Sequence, residues 1–103
     1  MLYAVRMEVD LPSNLDFDER ADLIAREKAV CQNLQRAGEW VSVWRVVGRY
    51  ANLSIFDVAS NDRLHEILWG LPLFQYMHLE VTPLAQHPSA LGAAGVDDGR
   101  PGG

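Results

Sequence analysis

One cysteine, Cys31, among 103 residues excludes an internal disulfide and agrees with a reducing compartment, so the cytoplasm is the expected location. Long apolar runs are missing, and no segment is expected to cross a membrane. The start, Met1-Leu2-Tyr3-Ala4-Val5-Arg6, lacks the basic segment and apolar stretch of a secretory signal. Cations are few: nine Lys and Arg against fourteen Asp and Glu give a formal charge of -5. They are scattered rather than striped, so nucleic acid is not an expected partner. His65, His78 and His87 stand too far apart in sequence for a metal motif, and no Asp or Cys spacing completes one. A Gly-rich phosphate loop and a nucleophile elbow are also lacking. Neither a metal nor a cofactor is expected.

What the chain does have is apolar content, 49% of its residues, enough for one thin-cored domain and too little length for two. Tyr3, Val5, Met7 and Val9 alternate with Ala4, Arg6 and Glu8 over Leu2 to Val9, the period of a strand with one face on a core. Asp16, Asp18 and Glu19 gather where a helix N-terminus favours negative charge, and a helix is predicted from about Asp18 to Arg36, stopping near Gly38. Trp40 to Val47 and Ala51 to Val58 predict two consecutive antiparallel strands joined through Gly48-Arg49-Tyr50. Ser60-Asn61-Asp62 opens a short second helix carrying Leu64, Ile67 and Leu68, which Gly70 and Pro72 end. A last strand is expected from Tyr76 to Thr82, closed by Pro83.

The resulting order, β-α-β-β-α-β, predicts an α+β, ferredoxin-like sandwich with two helices on one face of an antiparallel sheet. The other face is left bare. A second copy is the expected cover, giving a dimeric α+β barrel and a higher oligomer. The domain is expected to occupy residues 1–91. Residues 92–103, rich in Gly, Ala, Asp and Pro, are expected to be a disordered tail.

One residue conflicts with its surroundings. Leu23, Ile24, Val30, Cys31 and Leu34 share one arc of the first helix, and Glu27 falls within it. A carboxylate facing a core must pair with a cation (Lys28, Arg45 or Arg49 are at hand), take up a proton, or line a cavity where a raised pKa is useful. Periodicity leaves these open. Tyr50 and Asn52 share strand parity with Ser54 and Phe56, so they are candidate donors to a developing oxyanion, or else a strand-end tyrosine and a turn asparagine. Arg6, Lys28 and Arg45 are candidates to hold a substrate carboxylate, against the plainer reading of solvated surface charges. Cys31 reads as a small apolar residue rather than a nucleophile. The tryptophans read as core or interface, with one or two available to wall a pocket.

Several segments together resemble the muconolactone Δ-isomerase family: Ile24-Ala25-Arg26-Glu27-Lys28-Ala29, Trp44-Arg45-Val46-Val47-Gly48, Tyr50-Ala51-Asn52-Leu53-Ser54-Ile55-Phe56-Asp57-Val58, Ser60-Asn61-Asp62 and Gly70-Leu71-Pro72-Leu73-Phe74. The resemblance extends from Met1 to about Ser89 and includes Val81-Thr82-Pro83-Leu84-Ala85 and His87-Pro88-Ser89. It implies a cofactor-independent isomerase acting on a small-molecule lactone in the β-ketoadipate route, with a ferredoxin-like subunit assembled as a homodecamer. It further implies that Glu27 is the proton acceptor. Trp69 and Gln75 depart from the family's pattern, and a bulky Trp69 beside the pocket would alter substrate range. Two rival readings follow from the same scaffold: a chloromuconolactone dehalogenase using the same base, and a non-catalytic ligand-binding α+β barrel module.

Overall fold

The computed structural model describes residues 1–91; the segment expected to be a disordered tail, 92–103, lies outside them. Four strands and two helices follow in the anticipated order: β1 (Leu2–Val9), α1 (Phe17–Arg36), β2 (Trp40–Arg45), β3 (Ala51–Asp57), α2 (Asn61–Trp69), a 3-10 turn (Phe74–Tyr76) and β4 (Met77–Leu84). The sheet is antiparallel with order β2-β3-β1-β4, and both helices pack on one face of it. No helix among the described residues is long and apolar enough to cross a membrane.

Local chemistry sets the boundaries. Asp16 caps α1, its carboxylate accepting from the N–H groups of Asp18 at 3.1 Å and Glu19 at 3.3 Å, so the helix begins at Phe17, one residue earlier than expected. Its C-terminus closes in a Schellman turn: Glu39 N–H bonds to the Leu34 carbonyl and Gly38 N–H to that of Gln35, with Gly38 at φ +79°. β2 ends at Arg45 rather than Val47, because Arg49 N–H closes a tight turn onto the Val46 carbonyl at 3.1 Å with Gly48 at φ +77°. β4 runs on through Pro83 to Leu84. As an edge strand it tolerates a residue without an N–H.

The core lies between the sheet and the helices. Tyr3, Val5 and Met7 of β1 stand opposite Phe56, Ser54 and Asn52 of β3, so these six residues share the helix-covered face. α2 buries Leu64, Ile67 and Leu68 there, and its Arg63 grips Glu39, just before β2, with two hydrogen bonds of 2.7 and 2.8 Å. The longer α1 buries no residue completely. Its inner arc, Leu23, Glu27, Val30, Cys31 and Leu34, is only half-buried, which leaves a space beneath it.

The opposite face carries the rows Trp44–Leu53–Arg6–Glu80 and Ser42–Ile55–Ala4–Thr82. Trp44 is 67% and Leu53 45% exposed. This is the bare face anticipated from the element order, apolar at its middle and charged toward β4.

Phe56 is fully buried and stacks on Trp40 with ring centroids 4.8 Å apart. Phe56→Ala is expected to lower stability by about 3–5 kcal/mol, read as a fall in the urea midpoint at fixed protein concentration.

Candidate active site

The space beneath α1 is an open cavity of about 310 Å³. α1 supplies Ile24, Glu27, Lys28 and Cys31, β2 supplies Trp40, Val43 and Arg45, and β3 supplies Ala51 and Asn52. Val9, Tyr50, Leu73 and Met77 close the rest.

An irregularity in β2 makes this lining possible. The register with β3 shifts between Trp40 and Ser42, so Trp40 opposes Phe56 while Val43 and Arg45 oppose Ser54 and Asn52. Trp40 and the odd-numbered Val43 and Arg45 would otherwise point to opposite faces; one extra residue in the strand restores them to the same side.

Glu27 is held in the cavity wall by main chain rather than by a cation. Its Oε1 accepts the Leu73 N–H at 2.9 Å, and its Oε2 is buried without a partner. Burial pushes its carboxyl above the ordinary carboxylate range, and the Leu73 hydrogen bond pulls the other way. The candidate ion-pair partners are placed otherwise. Arg49 pairs with Glu8 at 3.3 Å, and Lys28 and Arg45 line the cavity without an ion pair to any described residue. The Arg45 guanidinium lies over the Tyr50 ring, 5.5 Å from its centroid.

Five of the six residues singled out from the sequence therefore converge on one cavity: Glu27, Lys28, Arg45, Tyr50 and Asn52. Asn52 Oδ1 accepts from Ser54 Oγ at 2.7 Å, so of its amide it is the NH₂ that has donor capacity to offer. Arg6 is the exception. It alternates with the core residues Val5 and Met7 and so lies on the outer face of the sheet, away from this cavity. Trp69 does not line the cavity either; it stacks on Phe74 at 4.8 Å and on His65 at 5.3 Å at the C-terminal end of α2.

Sequence reasoning missed the Leu73 N–H, for which no side-chain pattern is a signal, and left Trp40 unassigned among the tryptophans. Cys31 lines the cavity half-buried, accepting from Gln35 Nε2 at 3.3 Å. Burial pushes its thiol up, the Gln35 hydrogen bond lowers it, and the Glu27 charge raises it further, so the thiol stays protonated and is no nucleophile. Among the described residues no group of three or more His, Cys, Asp and Glu is placed to hold a metal ion.

Chemically, the arrangement is a desolvated base facing a small apolar space, with neutral donors and two cations at its rim. Such a carboxylate takes a proton from carbon more readily than a solvated one.

A family model described as muconolactone delta-isomerase matches residues 1–90. The muconolactone delta-isomerase of Rhodococcus opacus is 57% identical over 88 residues, covering 85% of this chain and 95% of that protein. That of Cupriavidus pinatubonensis is 57% identical over 91 residues, covering 88% and 99%. A crystal structure of muconolactone isomerase superposes with a TM-score of 0.87 at 46% identity, covering 92% of this chain and 99% of that one.

The upward shift of Glu27 has a definite sign in stability. Below the ordinary carboxylate range the side chain is neutral both folded and unfolded, and burial costs little. As pH rises through the elevated folded pKa, the folded state must hold a desolvated charge and loses stability. Glu27→Gln is therefore expected to raise the thermal midpoint relative to the parent at pH 8 and to leave it nearly unchanged at pH 4. A gap that did not vary with pH would contradict the desolvated carboxylate.

Proposed function

The chain belongs to the muconolactone delta-isomerase family, and from that premise we propose that it converts muconolactone to the enol-lactone of 3-oxoadipate by proton transfer through one base, Glu27. The observation that carries this reading is the Glu27 carboxylate itself, lining an apolar cavity with one oxygen on the Leu73 N–H and the other without a partner.

Glu27 takes the γ proton of the butenolide ring, leaving a dienolate whose charge rests largely on the lactone oxygen. The same carboxyl, now protonated, returns the proton at the α carbon. The proton leaves and re-enters the same molecule, so no cofactor or external reductant is required. Burial supports both halves: it makes the carboxylate a stronger base in the first step and excludes water that would exchange the proton before the second. The Asn52 amide and the Tyr50 hydroxyl are the proposed donors to the lactone oxygen. Lys28 and Arg45, neither engaged in an ion pair with a described residue, are the proposed partners of the substrate's acetate arm, Arg45 through its planar fork.

A second copy of the chain is proposed to cover the outer sheet face, where Trp44 and Leu53 are exposed, and to build the higher oligomer that the family resemblance implies. α1, which buries nothing completely on its own sheet, presents a further surface for assembly. A reducing cytoplasm is the proposed location for a chain with a single half-buried cysteine.

Two measurements test these statements. Glu27→Gln is expected to fold and assemble as the parent does while its kcat on muconolactone falls by about 10²- to 10⁴-fold; turnover near the parent's would sink the single-base mechanism. Light scattering at micromolar concentration is expected to report a multiple of the monomer mass, and a stable monomer would contradict the covered sheet face.

A further inference from the structure

Trp40 has a feature that packing alone does not account for. Its ring is 2% exposed and stacked on Phe56, yet its indole Nε1–H is buried with no acceptor. Leaving a buried donor unpaired costs on the order of 1–3 kcal/mol, and a phenylalanine would fill an apolar wall without that cost. Among the described residues the buried side-chain atoms without a partner are this N–H and Glu27 Oε2, and both residues line the same cavity. One is a donor and the other an acceptor, each out of contact with water.

We propose that Trp40 is a catalytic residue that donates its indole N–H to the lactone carbonyl oxygen of the bound substrate, adding a rigid, dehydrated donor to those of Asn52 and Tyr50. The proposal rests on the isomerase reading above. Neither Nε1 nor Oε2 is open to solvent, so substrate reaches them only as flexible lining side chains give way. Met77 and Lys28, both in the lining, have the unbranched chains for this.

The consequence is directional. The carbonyl oxygen is a modest acceptor in the lactone and a strong one in the dienolate, so a donor held at that point stabilises the transition state more than the bound substrate. No water has to be displaced from it as charge develops. Stacking on Phe56 and the shifted register of β2 hold the ring in place, so the donor needs little reorganisation.

The test removes the N–H and keeps the ring. Trp40→Phe and, in a second variant, replacement of Trp40 by β-(3-benzothienyl)alanine, which exchanges the N–H for sulfur within the same fused bicycle, are assayed on muconolactone beside the parent. Both are expected to lose kcat on the order of 10²-fold with KM within about threefold. The benzothienyl variant is expected to match or exceed the parent's thermal midpoint, because the unpaired buried donor is gone while the ring remains, which separates loss of the donor from loss of packing. Parent-level kcat in either variant overturns the proposal, as does a rise in KM with kcat unchanged. A parent chain inactive on muconolactone would instead reject the isomerase reading itself, and this assignment with it.

Discussion

The structure depends on one unfavourable placement, a half-buried carboxylate on the inner arc of α1 with no cation paired to it among the described residues. Glu27 lies in the arc of α1 that faces the sheet, where every other inward residue is apolar or, in Cys31, nearly so. A salt bridge would relieve the cost and hold the carboxylate at its ordinary basicity or below. The protein provides a single main-chain N–H, from Leu73, which orients one oxygen without neutralising the charge. The bond fixes the side chain's direction and lowers its basicity, and burial outweighs it and raises the carboxyl's pKa.

Several features of the fold follow from keeping that site open. α1 buries no side chain completely and meets the core through the half-buried Val30, Cys31 and Leu34, while α2 is anchored by three buried side chains and the Arg63–Glu39 pair. A thin sandwich of this size cannot enclose a cavity and a full core under both helices. Here the core concentrates beneath α2 and the cavity beneath α1. The register shift in β2 then brings Trp40, Val43 and Arg45 to the same side, so one strand contributes a donor, an apolar wall and a cation.

The cations are arranged by exclusion as much as by attraction. Arg49 is engaged by Glu8, Arg26 by Asp22 and Arg63 by Glu39 and Glu66, whereas Lys28 and Arg45 at the cavity rim form no ion pair with any described residue. Neither cation is paired with Glu27, so the upward shift that burial imposes on its carboxyl is not offset by an ion pair. The stacking of Arg45 over Tyr50 restricts its guanidinium to the cavity side.

Much of the architecture was legible in the sequence, because local periodicity and caps fix it. The alternation of Tyr3, Val5, Met7 and Val9, the acidic cap at Asp16, the Gly38 stop and the Ser60 cap each specify their element without reference to the rest. Strand parity even carried the information that Arg6 points away from the helices, since Arg6 alternates with Val5 and Met7. The helical arc likewise placed Glu27 inward. It did not say whether a cation waited there, and the family's residue pattern rather than periodicity pointed to a base. Tertiary structure decided what depends on residues far apart in the chain. The Leu73 N–H lies 46 positions from Glu27, the register shift in β2 has no side-chain signature, and the isolation of the Trp40 N–H appears only once the walls around it are assembled. Sequence determines which face each side chain takes, because that is a matter of nearest neighbours. Only the packed fold determines what each buried polar atom meets, because its partners come from other elements.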